Sequence, residues 1–96
     1  LSDEAYMRKA EIYSKIGDVE NALKMYEKII NEWPYDILSD DALYKQAKLY
    51  DNKLQDYDKA MQLYERILIE HNSSIFTAEA RKRFRILRGD NLNLEQ

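Results

Sequence analysis

Apolar residues along this chain recur three and four apart and nowhere alternate in twos, which is the spacing of helices that bury one face. Tyr6, Ala10 and Tyr13 share such a face, and Leu43, Ala47 and Tyr50 repeat it in the middle of the chain. The pattern predicts an all-α protein with helices over 3–15, 19–32, 39–52, 57–71 and 75–88. The breaks fall where these bounds need them: Gly17-Asp18 interrupts the first pair of helices, Pro34 closes it, and Gly89 suits the C′ position after the last. Asp18 and Asp56 each precede the second helix of a pair, where a carboxylate satisfies free N–H groups and meets the positive end of the helix dipole. Ser39 in the first linker and Ser73-Ser74 in the second are expected as N-caps of the helices that follow. The stretch from Asp90 to Gln96 has neither cap nor apolar stripe and is expected to fray.

Laid over itself at an offset of 37 residues, the chain matches Ala5 to Ala42, Ala10 to Ala47, Ile12 to Leu49 and Tyr13 to Tyr50. At an offset of 38 it matches Ala22 to Ala60, Tyr26 to Tyr64 and Ile30 to Leu68. One extra residue therefore sits between Asp51 and Gln55, and it is expected in the turn between two helices, where it disturbs no packed face. Each repeat reads as a helical hairpin, the first over 3–36 and the second over 40–74. A capping helix over 75–89 completes one domain, 1–89, with 90–96 as a tail.

These residues resemble the tetratricopeptide repeat, in which an aromatic, Leu-Gly, a tyrosine, an alanine with an aromatic four on, and a proline follow in order. The first copy reads Tyr6, Lys9-Ala10, Tyr13, Ala22, Tyr26, Pro34; the second reads Leu43, Gln46-Ala47, Tyr50, Ala60, Tyr64, with Asn72 in place of the proline. The resemblance implies a superhelix of two hairpins plus a cap, in which Ala10 faces Ala22 and Ala47 faces Ala60 at close helix crossings. The linkers Trp33 to Ala42 and His71 to Ala80 are similar to those of bacterial envelope tetratricopeptide proteins of the Tol-Pal coordinator and outer-membrane assembly lipoprotein types. The ending Arg81 to Asp90 is similar to the C-terminus of long Bacteroidota repeat proteins. Those similarities imply a periplasmic or envelope address.

The last helix breaks the pattern on one side only. Ala80, Phe84 and Leu87 keep the face that turns back onto the second hairpin, but Arg81, Arg85 and Arg88 stand where earlier first helices receive a partner. Burying three guanidinium groups against a further helix costs too much, so the array is expected to stop there. At the other end Leu1, Ala5, Ile12 and Ile16 form a partly apolar face interrupted by Lys9, as if an earlier repeat covered it. The chain, which opens on Leu1, is read as the C-terminal segment of a longer solenoid, with a weak homodimer through this face as an expectation for the isolated segment.

Charge sharpens the division. Residues 1–80 carry ten bases and sixteen acids, while 81–96 carry five bases and two acids, so the end is positive and the body negative. A whole-protein nucleic-acid binder is disfavoured by the acidic total, and only the last helix is placed to touch phosphate. No apolar run reaches the roughly 20 residues of a membrane-spanning helix, so membrane insertion is not expected. There is no cysteine, and His71 has no second His or Cys at ligand spacing, so it reads as a surface residue or a partner of the helix dipole. Asp40-Asp41 and Asp56-Tyr57-Asp58 lack a glycine-bearing ligand loop or a flanking base and read as caps and first-turn charge. Neither a nucleophile triad nor a Gly-rich phosphate loop is present, so no catalytic residue, metal site or cofactor is expected.

The resemblance implies a non-enzymatic scaffold that holds a segment of another protein in its concave groove. On the family's geometry the groove residues are Met7, Arg8, Glu11, Tyr44, Lys45, Lys48, Lys82 and Arg83, with Glu4, Asp41 and Ile86 beside them. Tyr44 and Met7 read either as groove anchors or as ordinary exposed apolar residues. The family's clamp for chaperone C-terminal carboxylates uses lysine and asparagine where this chain has Met7 and Glu11, so that ligand is not expected. The competing readings are a purely structural end cap with no ligand of its own and RNA binding through the arginine stripe.

Overall fold

A computed structural model describes residues 2–89. Ser2 opens the first helix, its Oγ accepting from the Ala5 N–H at 3.1 Å, and α1 runs over Asp3–Lys15. Gly17 then takes φ +85°, a conformation open to a residue without Cβ, and Asp18 accepts from the Asn21 N–H at 3.2 Å to start α2, Val19–Glu32. α3 spans Ile37–Lys48 and passes into a π-helical segment, Leu49–Leu54; Asp56 then caps α4, Tyr57–Glu70, by accepting from Lys59 N–H. α5, Thr77–Arg88, ends on Gly89 at φ +97°. Tail residues 90–96, expected to fray, and Leu1 lie outside the described residues.

Two expectations about helix starts are corrected. Ser39 does not cap α3: Asp36 does, accepting from the Leu38 N–H at 3.0 Å, and α3 begins two residues earlier than expected. Ser39 instead points inward, 1% exposed, and its Oγ has no hydrogen-bond partner among the described residues. In the second linker Ser74 makes the equivalent bond, its Oγ accepting from the Phe76 N–H at 3.0 Å, yet α5 starts only at Thr77. The linkers otherwise match bond for bond. Asp36 N–H to Trp33 O and Ser39 N–H to Asp36 O recur as Ser74 N–H to His71 O and Thr77 N–H to Ser74 O.

The extra residue of the second repeat is also placed differently. It does not lengthen the turn; it is absorbed by the π-helical segment at the end of α3, where wider turns take in a residue without breaking the helix. Gln55, at φ +54°, then turns the chain back.

α1 packs on α2 and α3 on α4 as antiparallel hairpins, α2 and α3 join them, and α5 lies back on α4. Ala10, Ala22, Ala47 and Ala60 are all fully buried, the condition for close helix approach, around Tyr26, Ile29, Ile30, Leu43, Tyr64 and Ile67. Ala80 is buried and Phe84 and Leu87 are half-buried against this core, so α5 does face backwards. No helix among the described residues is long and apolar enough to cross a membrane.

Candidate functional site: the concave groove

The first helix of each repeat lies on the same side of the stack. Between α1 and α3 runs a cleft of about 840 Å³ lined by Arg8, Glu11, Ile12, Ser14 and Lys15 from α1, Tyr26 from α2, and Lys45, Lys48 and Leu49 from α3 and its extension. Four of the expected groove residues, Arg8, Glu11, Lys45 and Lys48, thus share one cavity. Lys45 bridges its walls, donating to Glu11 across the cleft at 3.0 Å and lying 3.5 Å from Asp41 on its own helix. Burial pulls the Lys45 ammonium down, but the bond to Glu11 and the nearby carboxylates outweigh it and hold its pKa above the ordinary value. With Glu11 committed to Lys45, the cleft is left with Arg8, Lys15 and Lys48 as cations over an apolar floor of Ile12, Tyr26 and Leu49.

Met7 and Tyr44 differ from the exposed positions expected of them. Met7 is buried at 7% exposure, in a recess it shares with Leu38 from the first turn of α3. Tyr44, its counterpart, is half-buried: its ring stacks on Phe76 at 4.5 Å and 12°, while Tyr64 lies at 6.2 Å. Leu38, in the first turn of α3, and Phe76, at the N-cap of α5, are equivalent positions of the repeat, so each covers one groove-side residue on the first helix of the preceding hairpin. Lys48, which lines the cleft, has its Nζ 5.9 Å from the Tyr44 ring centroid.

The two cap residues separate. Lys82 is exposed. Arg83 is spent on an internal clasp: its Nε donates to Asp51 Oδ2 at 2.6 Å and its Nη2 to Oδ1 at 2.8 Å, while Tyr64 Oη donates to the same Oδ2 at 2.9 Å. Asp51 is 3% exposed, and the Arg83 bonds hold its carboxyl below the ordinary carboxylate range against the upward push of burial, with Tyr64 assisting. Burial and then the bond to Asp51 push the Tyr64 phenol well above its ordinary value, so it stays a donor. Sequence reasoning missed this clasp. The available signal was a buried-register tyrosine with an arginine on the next helix, while Asp51 itself lies in the π-helical segment, which spacing did not show.

The remaining polar candidates are structural. His71 Nδ1 meets the Asp40 carboxylate, tying the second linker to the start of α3. No group of three or more His, Asp or Glu residues that could hold a metal ion occurs among the described residues.

No curated protein and no solved structure matches the chain significantly. The tetratricopeptide repeat family model matches residues 4–34 and 41–74, more than half of the chain and in register with the two hairpins. The chain belongs to the tetratricopeptide repeat family.

Proposed function

We propose that this protein is a non-enzymatic scaffold whose cleft between α1 and α3 holds an extended or helical segment of a protein partner. Repeats of this family generally mediate protein–protein interaction. The observation that carries the reading is the cleft itself: about 840 Å³, apolar at its floor, with Arg8, Lys15 and Lys48 at its walls in no ion pair among the described residues. Such a surface offers fixed cations around an apolar strip, the arrangement that orients a segment and buries its anchors. Met7 lies buried beside the cleft and Arg83 fixes the cap, so the contacting set reduces to Arg8, Glu11, Lys45, Lys48 and Lys82, with Tyr44 next to Lys48. A photocrosslinking residue placed at Arg8 or Lys48 in cells carrying the whole gene should capture a protein that the same probe at Glu65, exposed on α4, does not. Identical capture from all three positions overturns the reading.

The end-cap reading is favoured by a separate observation. Arg81 and Arg85 are exposed on α5, where guanidinium groups disfavour the burial that a further hairpin would require. The two readings are compatible: α5 closes the stack while the cleft binds. A place at the C-terminal end of a longer array, an envelope address, and a weak homodimer through α1 belong to this proposal. Fractionation of cells expressing the whole gene tests the address.

A further inference from the structure

Where the two linkers meet the starts of α3 and α5, the surface differs in kind from the groove. Tyr35 is 98% exposed, Ile37 80% and Ile75 88%. Ile37 and Ile75 are equivalent positions of the repeat, so each linker turns the same aliphatic side chain outward. They border a second cleft of about 490 Å³, whose apolar lining also includes Leu38 and Phe76. Single exposed apolar residues are ordinary; three around one cleft mark a contact surface. The charged lining is Asp36, Asp40 and Asp41, with no lysine or arginine among the lining residues. Lys45, 3.5 Å from Asp41, offsets part of this charge, and Asp40 is in contact with His71 Nδ1. Asp36 spends Oδ1 on the Leu38 N–H and stands beside the carboxyl of Asp3, whose pKa is raised by the hydrogen bond between the two.

We propose that this linker-edge cleft docks a second protein segment, distinct from the occupant of the groove, in which aliphatic side chains alternate with lysine or arginine. The aliphatic groups cover Tyr35, Ile37 and Ile75, and the cations meet Asp36, Asp40 and Asp41. An acidic segment would gain the same apolar contact while desolvating three carboxylates against like charge, so the cleft selects for basic partners. The protein thus presents two docking surfaces of opposite sign, one for each of two partners. The competing occupant is α5 of a second copy, whose Arg81, Lys82, Arg85 and Ile86 carry similar chemistry and whose insertion would build an open head-to-tail chain.

Fluorescence anisotropy with the 96-residue chain and two labelled heptapeptides, Leu-Lys-Ile-Lys-Leu-Arg-Ile and Leu-Glu-Ile-Glu-Leu-Glu-Ile, tests this. The basic peptide should bind at least about tenfold more tightly than the acidic one. The double variant Ile37→Ser/Ile75→Ser should weaken it at least about fivefold, with the helical circular dichroism unchanged because both side chains project into solvent. The groove variant Arg8→Glu/Lys48→Glu should leave it unaltered. Equal affinity for the two peptides, affinity indifferent to the isoleucines, or affinity lost with the groove variant overturns the proposal. Concentration-dependent growth of the free chain in sedimentation, abolished by Ile37→Ser/Ile75→Ser, assigns the cleft to a second copy and overturns it as well.

Discussion

Asp51 is a carboxylate taken almost wholly out of water, and it is tolerated there because three hydrogen bonds converge on its two oxygens. Removing one partner from such a group leaves a charge that nothing offsets, whereas Arg83, with 37% of its side chain exposed, can return to solvent. Arg83→Met should therefore cost about 2 kcal/mol or more in urea unfolding, discounted from a fully buried pair because the guanidinium is partly hydrated. Its folded carboxyl lies below its unfolded value, so its contribution is complete above the unfolded carboxylate range, near pH 4, and is lost as pH falls through the folded value. The stability difference between the wild type and Asp51→Asn should accordingly be constant from about pH 5 to 7 and shrink below about pH 4. A difference that grows on acidification removes Arg83 as the group that holds Asp51 charged. Ser39 is the opposite case, a buried hydroxyl without a partner, so Ser39→Ala should leave stability unchanged or raise it, while Asp36→Ala should cost about 1 kcal/mol as a lost cap. Thermal melts giving Ser39→Ala the larger loss would return the capping role to the serine.

Each hairpin is set by a pair of buried alanines, Ala10 with Ala22 and Ala47 with Ala60, and by the segment that follows it. Ala47 is fully buried between α3 and its neighbours, so Ala47→Leu should cost ~1 to 3 kcal/mol by overpacking, read as a lowered urea midpoint. The alanines, the tyrosines at core positions and the caps Asp18, Asp56 and Gly89 were legible because each is a local signal repeated at a fixed interval. The π-helical segment was not: a change of offset from 37 to 38 shows that a residue has been added and leaves open which hydrogen bonds take it up. Its consequence is specific to the second hairpin. Asp51 aligns with Ser14, which has no comparable acid, and only in the second repeat does a cap arginine reach back to it. The groove was legible as a face but not residue by residue. Spacing put Met7 and Tyr44 on the groove side of their helices, and the residues that cover them, Leu38 and Phe76, stand at the starts of α3 and α5, in the contact between successive hairpins and the cap, where spacing within one helix carries no signal. Deleting Lys53 should restore the shorter spacing of the first hairpin and unseat the clasp, so that adding Arg83→Met to the deletion costs little more. Full additivity of the two losses would detach the clasp from the π-helical segment.

Across the whole molecule the faces divide by chemistry: a cationic cleft between α1 and α3, an acidic apolar edge at the linkers, an arginine face on α5, and an apolar strip on α1. That strip carries Ile12 at 55% exposure and Ile16 at 70%, with half-buried Ala5 nearby, while Leu1, expected to join it, lies outside the described residues. Two hairpins and a cap fall short of the about three repeats that such stacks need for stability, which gives this strip reason to be covered. A second copy can meet it in two ways: through the same strip, closing a two-fold dimer, or through its α5, opening a chain. The second is the poorer match, because Arg81 and Arg85 would lose hydration against isoleucine and gain no counter-charge. A weak symmetric dimer through α1 is therefore expected, with Ile16→Glu placing two like charges at its centre and abolishing it while the helical content stays intact. Ile16 is the better probe than Ile12, which also lines the cleft, so loss of dimer and loss of groove binding stay separable. Sedimentation velocity should show an average mass that rises with concentration for the wild type and for Ile37→Ser/Ile75→Ser, but not for Ile16→Glu. A wild-type chain that remains monomeric at millimolar concentration removes the dimer, and one whose association survives Ile16→Glu moves the contact to another face.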